Sequence, residues 1–482
     1  MKKHNLLFLY TDEQAIDTLK AYGNDKILMP NLNRLSEDCT VFEQAYVTQP
    51  VCTPSRSTLL TGLYPHANGC TENNIPLPPD VPCFPELLDD PEYVCAHYGK
   101  WHLGDELYCQ HGFDEWVSIE DGYYKYNSPG RNEADRSNYH HFLIKHGFTP
   151  KDGSMFDRGE TAALPEAYSK PAFLAEASVD FINRNRDNPF VLYVNFLEPH
   201  MPYTGPRDDM YDLSEIPLPD NFEARPGIDT SIRNRYIAEF YAERGFGGVD
   251  LSTPDGWKRI KANYWGLCSQ IDTYIGKIID HLKELELYDD TIIVFTSDHG
   301  DMMGSHGLLA KCVMYEEAVR VPFLIKLPGQ HENKKVSGPV SQIDIVPTLL
   351  DCLYQQTPET LQGKSLKSLI EAGGTVPKGN NVFIEWFGTE GRYKKNDISP
   401  QFADQIKTLG ELEKHMGAET RTVVTPDGWK YCWNPVDNSE LYDLNNDPQE
   451  RINLATDSRY ADKISKFRNI ITRWSEKSGY PG

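Results

Sequence analysis

Residues 6–14, LLFLYTDEQ, combine a short apolar run with an abrupt polar end. A continuous apolar run of this length is typical of a strand that is buried on both faces of a parallel sheet. Two later runs repeat the pattern, FVLYVNF at 190–196 and IIVF at 292–295, and the second follows apolar residues at helical spacing from Ile271 to Leu285. Helices that alternate with such strands predict an α/β fold, in which a large, mostly parallel sheet is sandwiched by helices.

The character of the sequence changes after Gly373 and Gly374. VFI at 382–384 is strand-like, and TVVT at 422–425 is separated from WKY at 429–431 by the turn-forming PDG, which predicts a hairpin. The last segment has apolar residues at helical spacing from Ile464 to Trp474. We therefore predict a large α/β domain over 1–376 and a smaller C-terminal α+β subdomain over 377–482, with an antiparallel sheet and a terminal helix.

Composition and charge disfavour several classes of partner. The 482 residues include 48 Lys and Arg against 71 Asp and Glu, a formal net charge of -23, which argues against nucleic acid and anionic membranes as partners. No run approaches the roughly 18 apolar residues of a membrane span. The apolar run at 6–10 is also shorter than the roughly 7–15 residues of a signal-peptide core. The compartment stays open: cytoplasmic for the chain as given, or periplasmic or secreted if a leader was removed.

The stretch CTPSRSTLLTG at 52–62 holds the candidate nucleophile. Because Pro54 favours helix entry, we expect Cys52 to lie just before a helix N-terminus, where free N–H groups and the helix dipole favour a bound anion. Arg56 adds a permanent, fork-shaped positive charge. Taken alone, the pentapeptide is equally compatible with a buried structural cysteine beside a proline turn. The ten cysteines form no CxxC pair and no zinc-like spacing, so we expect most of them to be buried thiols.

Acidic residues and a histidine follow the ends of predicted strands. Asp12 and Glu13 come after the first strand, and Asp298 and His299 come after the strand at 292–295. Open α/β sheets place their sites at these carboxyl ends. Carboxylates and an imidazole that converge beside Cys52 would form a hard, oxygen-dominated site suited to Ca²⁺, or with the histidine to Mn²⁺ or Mg²⁺. An Asp-His pair taken singly is also compatible with the capping of a turn.

Five motifs follow one another along the chain. After Asp12 and the segment CTPSR at 52–56 come GKWHLG at 99–104, PHMP at 199–202 and SDHG at 297–300, with Lys311 just beyond. In this order the motifs resemble the sulfatase family, which belongs to the alkaline phosphatase superfamily. The resemblance runs from about residue 5 to about residue 350, and the hairpin together with ELYDL at 440–444 resembles the family's C-terminal subdomain. Several motifs in order are much more specific than one.

The resemblance implies a role for the residues around the nucleophile. Cys52 would be oxidised to formylglycine by a formylglycine-generating enzyme, and Arg56 would support it electrostatically. Lys100 and His102 would contact the aldehyde hydrate and the sulfate, with His102 as the base. A hydrated aldehyde can attack sulfur with one hydroxyl and expel sulfate with the other.

The resemblance also implies a leaving-group clamp and a metal site. His200 and Lys311 would hold the sulfate and assist the leaving alkoxide. At the second metal position the family most often has Asp, sometimes Gln, whereas this chain has Glu13, whose longer side chain would move the ion unless Gln14 replaces it. With Ca²⁺ as the expected ion, the implied metal ligands are Asp12, Glu13, Cys52, Asp298 and His299.

Three functions follow as hypotheses. The first is hydrolysis of a sulfate ester, with a small sulfated saccharide as the substrate. The alternative is a phosphonate monoester or phosphodiester hydrolase of the same fold, since Asp298 followed by His299 is compatible with either. A binding protein without catalysis is disfavoured because every motif residue is present. The segment 106–169, which is rich in aromatic and histidine residues and includes Tyr124, suits stacking on sugar rings and favours trimming of a terminal sulfated sugar. An ordinary surface insertion is equally compatible with this composition.

Overall fold

The computed structural model describes residues 3–123, 126–388 and 406–481, so Tyr124 lies outside the described residues. The strands of its main sheet are β1 (Asn5–Asp12), β2 (Thr40–Tyr46), β3 (Val94–Gly99), β4 (Glu115–Val117), β5 (Phe190–Pro199), β6 (Thr291–Ser297), β7 (Arg320–Val321), β8 (Phe323–Lys326), β9 (Lys334–Ser341) and β10 (Gly374–Thr375). Their order is β10-β9-β2-β8-β6-β1-β5-β3-β4, with β7 paired to β2. The pairs that involve β7 or β8 are antiparallel and the others are parallel.

Helices cover both faces of this sheet, which confirms the predicted α/β fold. Leu7 and Leu9 of β1 belong to one apolar core, and Leu6 and Phe8 to another on the opposite face. This arrangement explains the continuous apolar run, because both faces of β1 are buried. The helices are α1 (Pro30–Glu37), α2 (Cys52–Thr61), α3 (Pro65–Asn68), α4 (Phe84–Leu88), α5 (Asn138–Lys145), α6 (Arg158–Ala162), α7 (Lys170–Asn185), α8 (Ile232–Arg244), α9 (Pro254–Glu284), α10 (Glu316–Val319), α11 (Ile345–Cys352), α12 (Lys367–Ala372), α13 (Leu409–Met416) and α14 (Ala461–Ser478).

Two segments of the main domain are shaped by local sequence. In the apolar run 319–327, Pro322, which has no N–H for a ladder bond, separates β7 from β8. The segment 204–258 contains α8 and the start of α9. Helix α9 has 31 residues and begins after Thr253, whose side chain accepts a hydrogen bond from the Gly256 N–H.

A separate antiparallel sheet lies in the C-terminal part of the chain. Its strands, in spatial order, are β11 (Val382–Trp386), β12 (Thr420–Val424), β13 (Trp429–Trp433) and β14 (Glu440–Asp443). Helix α14 contributes Phe467, Ile471 and Trp474 to a core shared with this sheet. The predicted antiparallel sheet is thus confirmed, while the domain boundary at residue 376 stays a prediction. In the described residues no helix has the length and apolar character needed to cross a bilayer.

Candidate active site

The carboxyl ends of two neighbouring strands bring the acidic motifs together. Strands β1 and β6 are parallel, and Thr11 is in register with Ser297. The residues that follow, Asp12 and Asp298, therefore lie side by side although almost 300 positions separate them, and both are fully buried. The Glu13 N–H donates to Asp298 Oδ1 over 3.0 Å, which fixes the turn after β1 against the end of β6.

Cys52 is the first residue of α2 rather than the residue before it, because Val51 is the N-cap. Pro54 is accommodated in the first helical turn, where N–H groups have no intrahelical acceptor. The buried Cys52 Sγ lies 3.3 Å from His299 Nε2 and 3.7 Å from Asp12 Oδ1. The predicted nucleophile is thus at a helix start and in contact with two predicted metal ligands.

Arg56 joins the two strand ends. Its Nη2 donates to Asp12 Oδ2 and its Nε donates to Asp298 Oδ2, each over 2.9 Å. Its Nη1 donates to the Lys100 carbonyl over 2.8 Å. The guanidinium is fully buried, and its fork geometry satisfies both carboxylates at once. Arg56 is therefore part of the framework of the site, one helical turn beyond Cys52.

The loop after β3 carries two further predicted residues. Lys100 Nζ forms a buried ion pair with Asp12 Oδ2. His102 has a positive φ of 59°, and the N–H groups of Trp101 and His102 both donate to the Glu106 carboxylate, over 3.0 and 2.7 Å. The buried His102 Nδ1 has no hydrogen-bond partner. Glu106, which the sequence analysis did not single out, holds the loop in the conformation that presents both side chains.

Glu13, His200 and Lys311 form a second group at the same edge of the sheet. Glu13 Oε2 lies 2.8 Å from Lys311 Nζ and 3.4 Å from His200 Nε2. Its other oxygen, Oε1, is buried without a hydrogen-bond partner. Gln14, the alternative ligand, instead donates its amide to Thr18 Oγ1 over 2.8 Å. The structure thus brings all the predicted site residues to one place, with Glu13 turned toward Lys311.

Burial and neighbouring charges shift the pKa values of the titratable groups in the site. Burial opposes ionisation of the Cys52 thiol, but the charges of Lys100, Lys311 and His299 outweigh it and hold the thiol pKa below its ordinary value. Burial also raises the pKa of Glu13 to about 8. The imidazole of His200 has a pKa well below its usual range, first because it is buried and then because Lys311 is close. His200 is therefore neutral near pH 7.

The donor set fits a divalent metal ion. Ligand atoms of Asp12, Cys52, Asp298 and His299 lie within 4.8 Å of one another, and a second group joins Asp12, Glu13 and His200. The unpartnered Glu13 Oε1 is a buried oxygen that a cation would satisfy. Two carboxylates with an imidazole form an oxygen-dominated set suited to Ca²⁺, Mn²⁺ or Mg²⁺.

One cation beside the site was missed by the sequence analysis. Arg158 Nη1 lies 3.3 Å from His200 Nδ1, and its Nε donates to Glu120 Oε2 over 2.8 Å. Arg158 also donates to the Tyr123 hydroxyl, and the Tyr123 ring centroid lies 4.5 Å from that of His102. The capping box formed by Asp157 and Glu160 could have signalled a helix start at this point. Nothing local predicts the contact with His200, 42 positions away.

The buried Cys52 thiol lies among Arg56, Lys100, Lys311 and clustered carboxylates at the carboxyl edge of the main sheet, an arrangement that suits an anionic ester. A family model for sulfatases matches residues 4–355. The chain belongs to the sulfatase family, as its motifs predicted, and the predicted enzyme class, sulfuric ester hydrolase, is confirmed.

Individual relatives extend the likeness to nearly the whole chain. The sulfatase YidJ of Escherichia coli strain K12 is 28% identical, over 99% of this chain and 88% of the relative. The N-acetylglucosamine-6-O-sulfatase of Bacteroides thetaiotaomicron is 25% identical, over 98% of this chain and 86% of the relative. The solved structure of a phosphonate monoester hydrolase from Silicibacter pomeroyi has a TM-score of 0.80 and 24% identity, covering 99% of this chain and 96% of that one. The last comparison shows a shared fold.

Proposed function

We propose that this sulfatase hydrolyses a sulfate ester of a small saccharide, with Cys52 converted to formylglycine as the nucleophile and with a divalent metal, Ca²⁺, beside it. The observation that carries the proposal is the position of Cys52. Its Sγ is buried at the first residue of α2, 3.3 Å from His299 Nε2 and beside the cluster of Arg56, Lys100 and Lys311. A nucleophile surrounded by fixed cations suits attack on an oxyanion ester.

The surrounding side chains bind the sulfate, act as the base and assist the leaving group. A hydrated formylglycine would supply one hydroxyl for attack on sulfur and another for the release of sulfate. Lys100 and Lys311 bind the sulfate oxygens and offset the charge that develops on them. His102 is the base, because burial and then Lys100 hold its pKa well below the usual range and its Nδ1 has no partner. His200 and Lys311 assist the leaving alkoxide.

The metal ligands in this proposal are Asp12, Asp298 and His299, together with Glu13 through its unpartnered Oε1. The ion would offset the charge of the clustered carboxylates and polarise the group attached at residue 52. Arg56 pairs with Oδ2 of both Asp12 and Asp298, so Oδ1 of each would face the metal, that of Asp298 while also accepting from the Glu13 and His299 N–H groups.

A cavity beside the site supports a saccharide of limited size. Its volume is about 280 Å³, and Tyr123 and Arg158, which line it, also contact His102 and His200. Aromatic rings stack on the apolar faces of sugars. The relative that acts as an N-acetylglucosamine-6-O-sulfatase supports the same substrate class. We therefore propose removal of sulfate from a terminal sugar of a short oligosaccharide.

The test is a comparison of specificity constants. The chain is produced together with a formylglycine-generating enzyme, and release of sulfate is measured from sulfated monosaccharides, short oligosaccharides and the parent polysaccharides. We expect the highest kcat/KM on a short sulfated saccharide. A phosphonate monoester or phosphate diester that exceeds every sulfate ester would replace this proposal by the alternative function. Faster release from intact polysaccharide would contradict only the substrate size.

A further inference from the structure

Three potential metal ligands lie together outside the active site. They are Cys83, Glu86 and His111, and one ligand atom of each lies within 4.8 Å of the other two. Cys83 immediately precedes α4, and Glu86 is in the first turn of that helix. The two residues form a capping box, in which the Cys83 N–H donates to Glu86 Oε2 over 2.8 Å and the Glu86 N–H donates to the Cys83 side chain. His111 comes from a different segment, the loop between β3 and β4.

Gly112 allows that loop to close onto α4. A Cβ atom at Gly112 would lie 2.6 Å from Glu86 Cγ and 3.3 Å from Pro85 Cβ, and its φ of +76° is unfavourable for other residues. The preceding residue, His111, also has a positive φ, of 52°. Both features bring the imidazole of His111 against the start of α4, and a side chain at position 112 would push it away.

One nitrogen of the His111 imidazole has no hydrogen-bond partner. Its Nδ1 is buried without a hydrogen-bond partner, and only 7% of the side chain is exposed. The nearest acidic atom, Glu86 Oε2, is 3.8 Å away, too far for a hydrogen bond. An unpaired buried polar atom is destabilising, and one that faces a thiol and a carboxylate is explained by a ligand that all three share.

We propose that Cys83, Glu86 and His111 bind Zn²⁺. A thiolate, an imidazole and a carboxylate are ligands that zinc accepts, whereas Ca²⁺ and Mg²⁺ require oxygen donors. On binding, the Cys83 thiol releases its proton to solvent as the Zn–S bond forms, and no redox partner is needed. Glu86, 36% exposed, is the most open of the three side chains, so water completes the coordination.

The zinc site would support the loop that carries the catalytic side chains. The ring centroid of His111 lies 5.9 Å from that of Trp101, which stands between Lys100 and His102 in the sequence. On the other side, the Leu77 N–H donates to the Leu103 carbonyl over 2.7 Å. Zinc at this position restrains the back of the loop, so its role is to stabilise the loop and not to take part in the reaction.

The experiment must separate this site from the active site, where Cys52 and His299 could also bind zinc. All measurements therefore use the full chain with Cys52→Ala in buffer with excess Ca²⁺, which is to occupy the remaining active-site ligands Asp12, Glu13, Asp298 and His299. Zinc per chain is determined by elemental analysis after dialysis against limiting Zn²⁺. Co²⁺ is used as a second probe, because a cobalt–thiolate bond gives a near-ultraviolet charge-transfer absorption. We expect one zinc per chain and the thiolate band.

Variants of the three ligands and two matched cysteines complete the test. Cys83→Ser and His111→Gln should lose the bound zinc, and Cys83→Ser should lose the cobalt band. Cys352→Ser, at another buried thiol, and Cys109→Ser, two residues from His111, should retain both. Because the first two variants could fold poorly, Glu86→Gln at the partly exposed ligand is compared as well. Zinc should raise the melting temperature of the Cys52→Ala parent by several degrees and that of Glu86→Gln much less.

Three results would overturn the proposal. The first is no zinc in the Cys52→Ala parent at limiting Zn²⁺. The second is a zinc content in Cys83→Ser or His111→Gln equal to that of the parent. The third is a cobalt–thiolate band that disappears with Cys109→Ser and persists with Cys83→Ser, which would assign the thiolate to a different residue.

Discussion

Two clusters of buried charge in this protein contain the same kinds of residue. In the active site, Arg56 joins Asp12 and Asp298. Near the C-terminal sheet, Lys430 of β13 lies 3.1 Å from Glu316 Oε1 and 2.8 Å from Glu450 Oε1. Both cations are fully buried. The two clusters nevertheless differ in what surrounds the carboxylates.

In the cluster around Lys430, neighbouring groups donate hydrogen bonds to the carboxylate oxygens. The Tyr46 hydroxyl donates to Glu316 Oε2 over 3.0 Å, and the Glu316 N–H donates to Glu450 Oε2 over 2.7 Å. Each carboxylate oxygen thus faces a donor or the ammonium group. The cluster connects β13 of the C-terminal sheet to α10 and β2, elements of the main sheet and its flanking helices. Its role is structural.

The active-site cluster is left incomplete. Glu13 Oε1 and His102 Nδ1 are buried without hydrogen-bond partners, and the Cys52 thiol lies among the charges. Unsatisfied atoms of this kind lower stability unless a ligand pairs with them. The comparison teaches that buried charge by itself does not identify a functional site. Unpartnered buried atoms also occur elsewhere, as at Trp386 Nε1, so the active-site cluster is distinguished by combining such atoms with a thiol among fixed charges.

Removal of Cys52, the proposed nucleophile, should have the largest effect. Cys52→Ala is expected to reduce sulfate release by about 10⁴-fold or more, because the surrounding cations can bind substrate but cannot replace the attacking group. Melting temperature should change little, since one small buried atom is lost. The control is Cys352→Ala, at a buried cysteine away from the site, which should keep full turnover. Equal activity in the two variants would contradict the assignment of Cys52.

Removal of Lys430 should lower the stability of the protein without changing its turnover. Lys430→Met leaves Glu316 and Glu450 facing each other, and we expect the free energy of unfolding to fall by about 3–5 kcal/mol. Urea unfolding measures this loss. At a temperature where the variant is folded, its kcat should equal that of the wild type. A large fall in kcat would mean that the two clusters are coupled.

Neutralisation of one carboxylate in each cluster tests whether metal binding and turnover depend on the active-site cluster alone. Asp298→Asn should lose most of its bound metal and lower kcat/KM by about 100-fold or more, because it removes a metal ligand and a partner of Arg56. Glu316→Gln, the matched variant at the other cluster, should retain metal content and kcat/KM. Metal is measured by elemental analysis. Full activity of the wild type after exhaustive chelation would exclude the metal site.

The last prediction concerns the pH dependence of stability. Burial raises the pKa of Glu450 from 4.5 to about 8 in the folded protein. Between these values the unfolded chain has lost the proton that the folded chain keeps, so this group makes stability fall as pH rises from about 5 to about 8. Glu450→Gln should flatten that fall, as measured by urea unfolding at several pH values. An unchanged slope would show that Glu450 is ionised in the folded protein.

The sequence was enough to predict the fold class, and its resemblance to the sulfatase family supplied the candidate site residues. Apolar runs such as 6–10 can only be buried on both faces, and the polar residues at their carboxyl ends lie at one edge of a parallel sheet. Local spacing placed Cys52 at a helix start with Arg56 nearby, but their proposed roles came from the order of motifs that resembles the sulfatase family. Local patterns also predicted the hairpin of β12 and β13, because turn residues separate two strand-like runs.

Only the tertiary structure decided which side chains meet across that edge. Strand order places Asp298 next to Asp12, and the turn of Glu13 toward Lys311 joins residues 298 positions apart. The contact of Arg158 with His200, the burial of Lys430 and the meeting of His111 with Cys83 have no local signal. Propensity and apolar periodicity act over a few residues, whereas these contacts depend on how distant segments pack, which a single sequence read locally does not encode.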